Sequence, residues 1–125
     1  MSSVLVVDDS AWIRRAVCEL FTREEDFSVC GEASNGQEAV RKAQQLLPDL
    51  IVTDLSMPVM NGLEEARLLK KLLPEVPVII FTGCDNNPHL EKEARSAGAS
   101  AVVPKSEASA TLLLRARKLL SRTAF

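Results

Sequence analysis

Five residues suited to chemistry each follow the end of a short apolar run. "VLVV" (4–7) gives way to Asp8-Asp9, "LIVT" (50–53) to Asp54, "VPVIIF" (76–81) to Thr82, and "SAVV" (100–103) to Pro104-Lys105. Brought together, they would offer three carboxylates, a hydroxyl and an ammonium. Three carboxylates at close range repel one another and are costly to bury unpaired, and a hard divalent cation removes that repulsion. Mg2+ suits the task, since it takes oxygen ligands octahedrally, usually one or two carboxylates with waters and phosphate oxygens. Lysine supplies a compact positive charge for a phosphoryl oxygen, and threonine adds a hydroxyl donor. The set suits transfer of a phosphoryl group onto an aspartate, giving an aspartyl phosphate.

Taken singly, none of these residues decides anything. An aspartate at a strand end is commonly a turn former or helix cap, Thr82 before Gly83 would serve as a plain turn residue, and Lys105 as a surface charge. Turn chemistry does not explain why all of them stand at C-terminal ends of the runs and none at the N-terminal ends.

The elements that must position them follow from the period of the sequence. Apolar runs at 4–7, 27–33, 50–53, 76–81 and 100–103 alternate with amphipathic segments near 10–22, 36–46, 62–73, 87–97 and 107–121. Ser10 can cap the first helix, Asn35-Gly36 enters the second, and Pro48 follows its end. Pro74 follows the third, Gly98 closes the fourth, and Ser106 or Ser109 can cap the fifth. Strict β-α alternation implies a parallel sheet with helices on both faces, because each crossover is right-handed. All strand C-termini of such a sheet lie along one edge, where ligands bind, so residues nearly a hundred positions apart are expected in one pocket.

Composition narrows the class. At 125 residues, with 46% hydrophobic and 26% charged residues, the chain suits one α/β domain, expected over 1–125 with its core at about 4–121. No apolar run approaches the roughly 20 residues that cross a bilayer, and the N-terminus has no basic region before its apolar stretch, so neither a membrane span nor a signal peptide is expected. A net charge of −2 without a basic stripe argues against direct nucleic-acid binding. Cys18, Cys30 and Cys84 lack any CxxC pairing and read as reduced thiols packed as small core residues in a cytoplasmic protein. His89 is the single histidine, which excludes a multi-histidine metal site or a Ser-His-Asp triad within this chain.

With these residues in place, the sequence resembles the receiver domains of two-component response regulators, from about Val4 to Leu120. "VLVVDDS" is similar to the acidic-pair motif, "DLSMPVMNG" to the phosphoacceptor loop, and "FTG" to the switch-hydroxyl segment, while Lys105 follows the last strand as the family's lysine does. The resemblance implies a flavodoxin-like (βα)5 three-layer sandwich with sheet order 2-1-3-4-5. It implies that Asp54 accepts a phosphoryl group from a histidine kinase or phosphotransfer protein. Asp8, Asp9 and Asp54, with the backbone carbonyl of Ser56, would hold Mg2+, and Thr82 and Lys105 would bind phosphoryl oxygens. On that reading the domain is not an enzyme, although it assists its own phosphorylation and dephosphorylation, and it passes the signal to a downstream protein as a monomer or weak homodimer. The alternative is a degenerate receiver that binds a partner without phosphorylation. An aspartyl-phosphate phosphatase would want a second aspartate where Ser56 stands, and a flavin site would want a phosphate cradle where Asp8-Asp9 stands.

The chain departs from the family pattern at several positions. Receivers usually carry an aromatic residue three positions before the lysine, and here that residue is Val102, so coupling from Asp54 to the output face is expected to be weaker or rerouted. Phe81, beside Thr82, is the aromatic left to carry part of it. Ser56 and Cys84 flank the expected path of the hydrolytic water with no carboxamide or carboxylate, which implies an aspartyl phosphate of ordinary or longer lifetime. Lys105-Ser106 and "SVCGEASNGQEAV" resemble receivers attached to helix-turn-helix output domains, yet no such output domain is expected within these residues. Trp12 lies one position off the apolar stripe of the first helix and is expected to be half exposed.

Overall fold

The apolar runs become strands because both of their faces are covered. The computed structural model describes residues 1–83, 88–106 and 109–123. Its elements are β1 (Ser2–Val7), α1 (Ala11–Thr22), β2 (Phe27–Ala33), α2 (Gly36–Leu46), β3 (Leu50–Thr53), α3 (Gly62–Leu72), β4 (Val78–Thr82), α4 (Pro88–Ala97), β5 (Ala101–Pro104) and α5 (Ser109–Thr123). The five strands form one parallel sheet in the order β2-β1-β3-β4-β5, the flavodoxin-like arrangement that the sequence resemblance implied.

Side-chain alternation divides the core into two layers. Val4, Val6, Leu50, Val52, Ile79 and Val103 face α1 and α5, meeting Val17, Phe21, Leu112 and Ala116. Leu5, Val7, Ile51 and Val78 face the other way, against Ala39, Val40 and Ala43 of α2 and Leu69 of α3. Ile80 continues that face toward Ala94 of α4. The interior strands therefore carry continuous apolar runs, Val4–Val7 in β1 and Leu50–Val52 in β3, whereas the edge strand β2 is only half covered along its middle.

Most boundaries fall where the sequence placed them. β1 starts two residues early, because Ser2 and Ser3 pair with Phe27 and Ser28, and the Ser3 N–H donates to Asp49 Oδ2 at 2.8 Å. β4 starts two residues late, since Val76 closes a turn onto the Leu73 carbonyl and Pro77 has no N–H to give. Ser10 caps α1, and Asn35 caps α2 by accepting from the Glu38 N–H at 2.8 Å. The capping expected at Ser106 or Ser109 borders 107–108, which lie outside the described residues, as does the start of the fourth helix at 87. Leu114 is exposed while Leu112, Leu113 and Ala116 are buried, as the fifth helix's stripe implied. Trp12 is far more exposed than its position suggested, at 84%, because it lies outside the stripe that Ile13, Val17 and Phe21 turn to the core. Cys18 and Cys30 are half buried rather than core residues, and burial pushes both thiols up, Cys18 to about 11. Cys84 lies outside the described residues.

Candidate functional site

Strand register puts the chemistry in one place. Val7 pairs with Thr53, Thr53 with Ile80, and Thr82 with Pro104, so β1, β3, β4 and β5 end along one edge of the sheet. Asp8, Asp54, Thr82 and Lys105 stand there, and the Asp54 N–H donates to the Val7 carbonyl at 2.9 Å. Carboxylate oxygens of Asp8, Asp9 and Asp54 all lie within 4.8 Å of one another. Asp8 and Asp54 are buried and Asp9 is exposed, so the cluster opens to solvent on one side.

Lys105 ties the site together. Its Nζ donates to Asp8 Oδ2 at 3.1 Å and to Asp54 Oδ1 at 3.2 Å. Its backbone N–H donates to the Thr82 carbonyl at 2.7 Å, which fixes the start of the lysine loop to the end of β4. Burial works against the Lys105 charge, but Asp8 and Asp54 outweigh it and hold the ammonium above its ordinary range. For Asp54, burial and then the Asp8 charge push the carboxyl up, against Lys105 and the Leu55 N–H. Asp54 Oδ1 accepts from that N–H at 2.9 Å and from Lys105, and among the described residues Oδ2 accepts no hydrogen bond.

Neighbouring elements fix these residues in turn. Asp8 Oδ1 accepts from the Ser10 N–H at 2.9 Å, and the Asp8 carbonyl accepts from Arg14 Nη1 of α1 at 2.9 Å. The loop after Asp54 returns when the Gly62 N–H donates to the Leu55 carbonyl at 2.8 Å, and a Cβ on Gly62 would collide with the Asp54 carbonyl oxygen. Ser56 is exposed within that loop. Asn61 and Glu64 form a capping box that starts α3.

The donor set fits a hard cation. Close-set carboxylates with a buried floor and an open mouth favour an ion that takes oxygen ligands and keeps waters. A Mg2+ ion bound there would offset the mutual repulsion of the acids and draw in phosphate oxygens.

Two features escaped the reading of the sequence. Glu65 is completely buried, with its Oε1 2.7 Å from the Thr53 hydroxyl and, among the described residues, no hydrogen-bond partner for Oε2. A signal existed, because Glu65 falls on the inward stripe of α3 with Gly62, Ala66 and Leu69. Phe81 packs with the α1/α5 layer, whereas Val102 packs with Ile80 on the α4 side. Alternation along β4 puts Thr82 on the same side as Ile80, so Phe81 faces away from the space where the missing aromatic would turn.

A doubly wound parallel sheet with an acidic cluster and a lysine at its C-terminal edge defines a flavodoxin-like domain of the receiver type. Residues 4–117 match the family described as "Response regulator receiver domain", and the chain belongs to that family, whose work is two-component signalling. A protein-glutamate methylesterase/protein-glutamine glutaminase of Nocardioides sp. is 43% identical over 82% of this chain and 28% of its own length. A putative transcriptional regulator of Pseudomonas aeruginosa is 40% identical over 97% of this chain and 58% of its own. The chain thus spans from about a quarter to somewhat over half the length of these relatives. Among solved structures, the response regulator domain of Thermotoga maritima CheB superposes with a TM-score of 0.90 at 32% identity, over 97% of each chain. CheY of Borrelia burgdorferi, in a CheX-CheY-BeF3-Mg+2 complex, superposes with a TM-score of 0.88 at 27% identity, over 94% of this chain and 88% of that one.

Proposed function

We propose that this domain is the phosphoacceptor of a phosphorelay, with Asp54 as nucleophile. The observation that carries the reading is the cluster of Asp8, Asp9 and Asp54 bridged by Lys105. Asp54 Oδ2, the oxygen that accepts no hydrogen bond among the described residues, attacks the phosphorus of a donor phosphohistidine. A P–O bond forms, the P–N bond breaks, and the electron pair leaves with the imidazole nitrogen, which then takes a proton. The Asp54 Oδ1 contacts with Leu55 N–H and Lys105 orient the carboxylate for that approach. Lys105 and Thr82 receive the phosphoryl oxygens at the strand ends. Asp8, Asp9, Asp54 and the Ser56 carbonyl would hold Mg2+, whose charge neutralises the incoming group.

On this reading the protein is a signalling switch rather than an enzyme. Its partners are a sensor kinase or phosphotransfer protein and a downstream protein, in the cytoplasm. The Mg2+ and beryllofluoride named for the Borrelia complex, whose fold this domain shares, support a reading that joins Mg2+ with a phosphoryl group here. Intact-mass measurement after incubation with acetyl phosphate tests it. One phosphoryl adduct is expected with Mg2+, and none with a chelator or in Asp54→Asn. A labelled Asp54→Asn, or wild-type protein unlabelled in Mg2+, would overturn it.

A further inference from the structure

Glu65 is the buried acid that phosphoryl acceptance leaves unused. It stands on α3 with no exposed surface, against Thr53 at the last position of β3, which is equally buried. The Thr53 hydroxyl lies 2.7 Å from Glu65 Oε1 and 3.1 Å from the carbonyl oxygen of Asp54. Among the described residues, Glu65 Oε2 has no hydrogen-bond partner.

One hydroxyl proton cannot serve both oxygens. With Glu65 ionised, Thr53 would give its proton to the carboxylate and the Asp54 carbonyl would lose a donor. The core would then hold a bare charge on one neutral hydrogen bond, behind a site that already has three carboxylates. With Glu65 protonated, Oε1–H donates to Thr53 and Thr53 donates onward to the Asp54 carbonyl. Each proton is used once, the 2.7 Å separation suits a strong O–H···O bond and the 3.1 Å one a longer, weaker bond, and only the carbonyl oxygen of a neutral acid stays unmatched among the described residues.

We propose that Glu65, as a carboxylic acid, is a positioning residue for the phosphoacceptor, acting through Thr53 on the Asp54–Leu55 peptide. That peptide is held from both ends. Its carbonyl accepts from Thr53 and abuts Gly62, while its N–H, that of Leu55, donates to Asp54 Oδ1. Rotation of the peptide plane would therefore turn the nucleophile. Burial pushes the Glu65 carboxyl up to about 8, which agrees with a proton retained at neutral pH.

The inference rests on the phosphoacceptor reading, and two measurements separate them. The first is the rate of Mg2+-dependent labelling by acetyl phosphate in the full chain. Glu65→Gln keeps a donor toward Thr53 and is expected within about twofold of wild type, while Glu65→Leu and Thr53→Val slow by about five- to tenfold, the loss expected of one buried hydrogen bond. Glu65→Leu combined with Thr53→Val is expected to be no slower than either alone. The second is the infrared C=O stretch of a protonated carboxyl at pH 7, present in wild type and lost in Glu65→Gln, which needs no phosphorylation. Labelling of Glu65→Leu at the wild-type rate, a Glu65→Gln as slow as Glu65→Leu, or no such band would overturn the relay. Wild type that shows the band yet takes no phosphoryl group would overturn the phosphoacceptor reading, and with it the positioning role, and leave only the Glu65–Thr53–Asp54 hydrogen-bond chain standing.

Discussion

Glu65 changes its proton inventory on folding, and that makes stability depend on pH. Its carboxyl is raised from 4.5 to about 8 by burial. Between those values the folded protein holds a proton that the unfolded chain has released. The contribution is fully present below the unfolded value and is lost as pH rises through the folded one, so stability falls across pH 5 to 8. Glu65→Gln has no such group, and other titrations cancel in the comparison. Denaturant unfolding at several pH values is expected to show wild type losing stability relative to Glu65→Gln as pH rises, and parallel curves would contradict this. The phosphoacceptor set was legible in the sequence because each member ends an apolar run. Glu65 was not, because "GLEEARLLKKL" offers two adjacent glutamates and only the helix stripe separates the buried one from its neighbour Glu64, which caps α3.

At the scale of elements, the loop between β3 and α3 contains a residue in an unfavourable conformation. Val59 has φ 69° and is exposed, and a β-branched residue in the left-handed region is strained by roughly 1–2 kcal/mol. Glycine relieves the clash at some cost in chain entropy, so Val59→Gly is expected to stabilise by about 0.5–1 kcal/mol, read from the denaturation midpoint at constant m-value. Destabilisation by Val59→Gly would show that the valine side chain contributes more than its strain costs. Strand and helix placement followed from period and punctuation, and Ser10 and Asn35 act as the caps their positions suggested. The positive φ at Val59 left no sequence signal, since nothing in "MPVMN" requires it locally. The outward turn of Trp12 was underestimated because a tryptophan beside an apolar stripe invites burial.

For the whole molecule, the open matter is how the site reports to the surface. Thr82 and Val102 share the α4 side of the sheet, and Phe81 faces α1 and α5. On the proposed reading, a phosphoryl group that drew Thr82 inward would vacate space beside the half-buried Val102, which offers no ring to follow it. Beryllofluoride with Mg2+ is expected to shift amide resonances strongly around Asp8, Asp54 and Lys105 and weakly along α4 and β5. Full-sized shifts across 88–104 would contradict that. The sheet order was readable through the family resemblance, but the side of the sheet that Phe81 faces needed the register of β4 against β5.

The central claim is that Asp54, rather than either acid of the neighbouring pair, takes the phosphoryl group. Borohydride reduction of the acetyl-phosphate-treated protein converts an aspartyl phosphate to homoserine, and peptide mass spectrometry then locates it. Homoserine at position 54 alone is the result the structure predicts. Homoserine at Asp8 or Asp9, or none after treatment in Mg2+, would contradict it.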